Sequence, residues 1–202
     1  MTKQEEILQK TREFVCSQME ENDAAHDTGH VFRVVALTRQ LCQAYPEANG
    51  FWAELLAWLH DLSDDKLSSN VGVESIGDFL RSIGVDEDTV AFIAGSLHYI
   101  SYRKHPRLLP EVALEVRIVQ DGDRIDAMGA VGIARTFAYG GAKNRSLEDS
   151  LLHFDEKLLW LYDLLNTEEA KRLAAPRHAF LREFYDRFLL EQTSLSDDGK
   201  MA

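Results

Sequence analysis

The chain has little of what would tie it to the cell exterior or to a membrane. Only two cysteines, Cys16 and Cys42, occur in 202 residues, and both fall at apolar positions of helical patterns rather than in a CxxC or paired framework. Free, buried thiols in a reducing compartment are expected, and thiolate metal ligation is excluded. No stretch approaches the ~18 apolar residues that a membrane-spanning helix requires. The leading segment MTKQEEILQK is charged and lacks the apolar core of a secretory signal. A cytoplasmic location with no membrane contact is the expectation. Positive charge is also scarce: 22 Lys and Arg stand against 34 Asp and Glu, a formal net charge of −12. Duplex nucleic acid binds through cations that neutralise its phosphates, so that class of partner is disfavoured. A small phosphorylated ligand, held by a metal and a few local cations, remains open to an acidic protein.

Strand-like alternation is absent too, and helical periodicity dominates, which predicts an all-α, single-domain bundle large enough to bury its own core. Thr2 and Glu5 form a capping box for a first helix ending near Asn22, and a second starts around His30 and stops by Pro46. The nearly continuous apolar run from Phe51 to Leu62 marks a helix buried on most sides. A helix over 71–83 is ended by Gly84, and another starts from Asp86 or Asp88. A long helix runs from Val112 to Met128, and a small-residue helix from Ala130 to Tyr139 leads into a flexible loop over 140–145. Ser146 with Asp149 caps the next helix, which carries a leucine face through Leu165. Asn166 with Glu169 caps the last, in which Pro176 should produce a kink or break.

Against this helical background, three short pieces far apart in sequence offer metal-ligating side chains. They are His30 in HDTGHVFRVV, the doublet His60-Asp61 in WLHDLSDDK, and an aspartate in VQDGDRIDAMG, where Asp121, Asp123 and Asp126 compete. Imidazoles and carboxylates make a mixed N/O sphere suited to a divalent cation. An ionised Asp and a His at the end of an apolar helix are costly to bury unless a cation or a charge partner compensates. The two side chains of the doublet point about 100° apart on a regular helix, so they can share one ion only beyond the helix end or in a distorted last turn.

The order H…HD…D, with HDxxHxxRV at His26, Asp27, His30, Arg33 and Val34 and the run QDGDRIDAMGAVGIAR from Gln120 to Arg135, resembles the HD-domain metal-dependent phosphohydrolase superfamily. Within it the chain is similar to a small bacterial stand-alone subfamily that includes nucleotide pyrophosphohydrolases. The resemblance covers about residues 20–190 and departs at Gly122, where that subfamily usually has Ala. It implies a core over 23–192, preceded by an N-terminal helix over 1–22 and followed by a polar tail over 193–202 expected to be disordered. It also implies one divalent ion (Mn, Co, Ni, Fe, Zn or Mg) on His30, His60, Asp61 and Asp123, with Asp121 the alternative for the last ligand. His26 and Asp27 would flank the site.

The implied reaction is hydrolysis of a nucleotide by a metal-activated water. The favoured version takes a nucleoside triphosphate to monophosphate and pyrophosphate. Dephosphorylation of a nucleoside 5′-monophosphate and a non-catalytic nucleotide- or metal-binding module are the alternatives. Asp61 and Lys66 would serve catalysis, and Asp64 is the candidate general base, against a solvated loop carboxylate. His26, Arg33, Lys66, His98, Arg103 and Arg124 are candidates to bind substrate, although Arg33 and Arg124 could instead pair with acidic residues inside the bundle. No nucleophile-elbow or Ser-His-Asp signature is present, so no covalent enzyme intermediate is expected. A homodimer is compatible with the sequence.

Overall fold

A computed structural model describes residues 1–19, 28–62, 71–101, 104–107 and 111–197. Among these, nine α-helices and two short 3-10 turns make up the fold, with no strand: α1 Lys3–Met19, α2 Thr28–Cys42, α3 Gly50–Leu59, α4 Val73–Ser82, α5 Glu87–Ile100, α6 Leu114–Asp126, α7 Gly129–Ala142, α8 Leu147–Glu156 and α9 Glu168–Asp197, with the 3-10 turns at Leu158–Trp160 and Tyr162–Leu164. The expected all-α bundle is what forms. No described helix is long and apolar enough to cross a membrane.

The helix starts follow side-chain chemistry. Thr2 and Glu5 satisfy each other's backbone N–H reciprocally, and Asp86 and Ser146 accept from Thr89 N and Asp149 N. Gly84, at φ +84° just past α4, takes the left-handed conformation that ends the helix. Five expectations fail along the helices. α7 continues through Gly140 to Ala142 instead of opening into a loop, because Gly140 lets the helix pack tightly against Ser150. The leucine-rich segment after Ser146 breaks at Lys157 into the two 3-10 turns, which bury Leu158, Leu161 and Leu165 from one short stretch. Thr167, not Asn166, caps α9, its Oγ1 accepting from Ala170 N. Pro176 does not interrupt α9, which is pinned on either side by buried Ala174 and Leu181. The helix also runs to Asp197, past the expected start of the tail at 193.

Two apolar cores lie on either side of a shared seam. The first joins α1, α3, α4 and α5, with Leu55, Leu56, Leu59, Ile76, Leu80 and Ile93 at its centre. The second joins α7, α8, the 3-10 turns and α9 around Phe154, Leu158, Leu161 and Leu181. Each fully buried side chain of this kind contributes about 1.5–3 kcal/mol. Helices α2 and α6 feed both cores: Val31, Val34, Val116 and Val119 go to the first, Leu37, Leu41, Ile118 and Ile125 to the second. Close packing of α2 on α6 depends on Gly122, where an added Cβ would lie 3.2 Å from Thr38 Oγ1 and 3.4 Å from the Val34 carbonyl. The departure from Ala at this position thus falls within the α2–α6 seam, and the candidate ligands hang from these two helices and the end of α3.

Candidate metal centre

The doublet His60-Asp61 can act together because α3 ends at Leu59. His60 and Asp61 occupy the turn that follows, closed by Leu62 N donating to Leu59 O at 3.1 Å. The tightened turn turns both side chains towards the first turn of α2, where His30 sits 3% exposed. Ligand atoms of His30, His60 and Asp61 all lie within 4.8 Å of one another. His30 Nε2 is 3.4 Å from Asp61 Oδ2 and 3.3 Å from Asp123 Oδ1, and His60 Nε2 is 3.4 Å from Asp61 Oδ1. Asp123 therefore joins the trio through His30.

The tautomers follow from the partners on the other ring edges. An ionised carboxylate and a backbone carbonyl can only accept, so the proton on His60 Nδ1 goes to the Ala57 carbonyl at 2.8 Å, and that on His30 Nδ1 to Asp126 Oδ2 at 2.7 Å. Both Nε2 atoms are left facing the carboxylates, open to a cation or, at His30, to a second proton. His60 Nε2 is buried with no hydrogen-bond partner, an atom that would cost about 1–3 kcal/mol if nothing ever met it. Two imidazole nitrogens and the Asp61 carboxylate gathered within 4.8 Å of one another, one nitrogen orphaned and Asp123 beside His30, fit a divalent cation.

The charges agree. Burial acts against the charged form of His30, but hydrogen bonds from its ring to Asp123 and Asp126 and the charge of Asp61 prevail, raising it to about 9. Burial would raise Asp123, yet the bond and charge of His30 and the charge of His60 hold it far below the usual carboxylate range. In the metal-free protein a proton on His30 occupies the place where a cation would neutralise Asp61 and Asp123.

The other expected site residues divide. Asp121 and Asp123, two residues apart, point to different regions. Asp121 is fully buried and accepts from Asn166 N and Nδ2 through Oδ1 and from Thr167 N and Oγ1 through Oδ2, capping α9. Burial pushes its carboxyl up despite these bonds. Arg124, expected at the phosphate, is 1% exposed and donates to the carbonyls of Leu164, Pro106 and His105. It ties the 105–106 and 164 segments to α6, and that enclosure corrects its assignment to substrate. Arg33 lies at the centre, donating through Nε and Nη2 to Asp126 at 2.6 and 3.2 Å. His98 is exposed at the end of α5 and is gathered with other rings, 3.9 Å from Tyr99 and 5.4 Å from His105, rather than with the ligands. Desolvation, then the charges of His105 and Lys104, push it below the ordinary histidine value. His26, Asp27, Asp64, Lys66 and Arg103 lie outside the described residues. Sequence reasoning missed Asp126 and Arg135 as parts of the centre. Asp126 carried a signal, one turn beyond Asp123 in DRID, whereas nothing marked Arg135.

The fold and this centre define a class. The HD domain family matches residues 28–128, and the chain belongs to that family, the metal-dependent phosphohydrolases. The Bacillus subtilis protein YpgQ is 36% identical over 183 residues, 87% of this chain and 89% of that protein. Its crystal structure in complex with ADP superposes with a TM-score of 0.82 at 30% identity, covering 94% of this chain and 97% of that one. An HD-superfamily hydrolase from Bacillus thuringiensis superposes with a TM-score of 0.74 at 37% identity, over 95% and 99% of the two chains.

Proposed function

We propose that the protein hydrolyses nucleotides, with a nucleoside triphosphate cleaved to monophosphate and pyrophosphate as the favoured reaction. The observation that carries it is the convergence of His30 Nε2 and His60 Nε2, the latter with no hydrogen-bond partner, on Asp61, with Asp123 beside His30. A bound divalent ion would acidify water and withdraw charge from phosphorus at that point. His30, His60, Asp61 and Asp123 would hold it, in preference to Asp121. The ADP bound to YpgQ supports a nucleotide as the ligand class.

The chain's own groups supply the rest. Asp61 and Asp123 keep 16% and 26% of their side chains exposed, so the centre opens to solvent on the carboxylate side. Arg33, with 36% of its side chain exposed, adds positive charge one turn along α2 from His30. Lys66, Arg103 and His26 are the remaining candidates for phosphate, and Asp64 for accepting the proton of the attacking water. Neither cysteine suits nucleophilic attack: both are free and half-buried, and burial, with the charges of Glu115 and Glu54, pushes Cys42 up to about 11. Water attacks phosphorus directly.

A screen of nucleotides with Mn, Co, Ni and Mg, resolving phosphate from pyrophosphate, tests the reading. Pyrophosphate from a triphosphate is expected. Phosphate from monophosphates alone would move the assignment to a 5′-nucleotidase, and no turnover with any metal would leave a binding module. Under single turnover in heavy-oxygen water, label should enter the phosphoryl product from solvent, and a trapped phosphoenzyme would overturn direct attack.

A further inference from the structure

His30 is held from two sides, and the side away from the carboxylate opening is built more elaborately. Asp126 on α6 is fully buried. Its Oδ2 accepts from His30 Nδ1 at 2.7 Å, from Arg135 Nη1 at 2.8 Å and from Arg33 Nη2 at 3.2 Å, while its Oδ1 accepts from Arg33 Nε at 2.6 Å. Arg135 comes from α7, so one carboxylate joins α2, α6 and α7 behind the imidazole. A carboxylate with no exposure needs compensating charge, and two guanidiniums supply more than one imidazole requires. A tie between helices would be made by either arginine alone.

We propose that Asp126, held ionised and in register by Arg33 and Arg135, is the positioning residue of the metal centre: it fixes His30 in the Nδ1–H tautomer and aims the Nε2 lone pair at Asp61 and Asp123. The physical basis is general. An imidazole binds a cation only through a nitrogen that carries no proton, and the partner on the far nitrogen decides which one that is. With Asp126 present, the Nε2–H tautomer would set the Nδ1 lone pair against a carboxylate oxygen at 2.7 Å, nearer than Arg135 Nη1 at 3.0 Å, whose proton Asp126 Oδ2 already accepts at 2.8 Å. With Asp126 neutralised, that penalty falls and the ring can turn or change tautomer. Asp123 and Asp126, one turn apart on the same helix face, thus act on opposite edges of one ring, the first towards the ion and the second as its backstop. This inference rests on the reading of His30 as a ligand.

The test is metal binding by calorimetry with Mn alone, beside the thermal midpoint of the metal-free protein, for the full chain and its Asp126→Asn variant, which keeps shape and removes charge. A 10–100-fold weaker Mn affinity in a variant that remains folded is expected, that being the usual cost of losing such a partner. Affinity within twofold of the parent in the folded variant would overturn the proposal and leave Asp126 a strut. Should Asp126→Asn fail to fold, the double variant Arg33→Gln with Arg135→Gln decides: weakened Mn binding supports the proposal, unchanged binding overturns it. Ring nitrogen shifts of His30 in the Zn-loaded protein give a readout that a strut would not move, with the proton expected on Nδ1 in the parent and less Nδ1–H hydrogen bonding in the variant. If the parent binds no Mn, it is the metal-centre reading that fails, which separates the two.

Discussion

Helix α6 buries charge in two regions that solve the same problem in opposite ways. Where it meets the start of α9, Asp121 accepts four hydrogen bonds, Asn166 also donates to Gln120 Oε1, and Arg124 donates to three carbonyls, so the carboxylate is matched by protein donors. Where it meets α2 and the end of α3, Asp123 faces His30, His30 and His60 both face Asp61, and His60 Nε2 is buried with no hydrogen-bond partner. A satisfied polar cluster is architecture, while converging unsatisfied acceptors are a site. The carboxyls move accordingly, Asp121 pushed up by burial and Asp123 held down chiefly by His30.

The comparison breaks most completely at Asp61, which lies 3.4 Å from both histidines of the centre. Asp61→Ala should abolish both stoichiometric metal and activity while leaving the fold intact. Metal retained by that variant, or full activity in excess chelator, would remove the distinction between the two regions.

Asparagine at positions 121 and 123 sharpens the contrast within one helix. Asp123→Asn should lose metal affinity and also lower the metal-free midpoint, because the charge that pairs with His30 is removed. Asp121→Asn should keep the metal but lose about 1–3 kcal/mol, since a buried acceptor set is mismatched. For a domain of this size that is a midpoint lower by roughly 2–4 °C per kcal/mol. Metal loss at Asp121 alone would place the ligand on the wrong residue.

A smaller effect is expected from pH. The folded value of His30, raised to about 9, lies above its ordinary 6.5, so its ion-paired contribution to the metal-free protein is complete below pH 6.5 and lost as pH rises through about 9. The thermal midpoint of the metal-free protein should fall by several degrees over that window. Metal competes with the same proton, so affinity should rise across it. A flat midpoint with unchanged affinity would mean that His30 carries no proton between the carboxylates.

The smallest effect belongs to groups outside both regions. Cys16→Ala and Cys42→Ala, assayed for turnover, should leave activity unchanged. Loss of turnover at either would reopen the case for a covalent step.

Legibility followed the range of the interaction. The capping boxes at Thr2 and Ser146 and the Gly84 stop were readable because they join residues three or so apart, and the helix periods because burial repeats every turn. Asn166 misled for the same reason: a local capping pattern fitted, but its side chain is taken by Arg117 O, Gln120 and Asp121 from another helix. Arg124 misled likewise, as its neighbour Asp123 faces the centre and it does not.

The sequence by itself determined an all-α chain with few cysteines and a spaced set of His and Asp side chains whose chemistry points to a divalent metal. Helix period, charge and donor type are properties of short segments, and they survive without knowledge of the fold. Only the tertiary structure decided which of three aspartates meets His30, that Asp121 caps a helix, and that Asp126 with Arg33 and Arg135 stands behind the imidazole. Those choices depend on the rotation of α6 against α2, set by close packing at Gly122 and by the two cores on either side, and no local pattern records that angle.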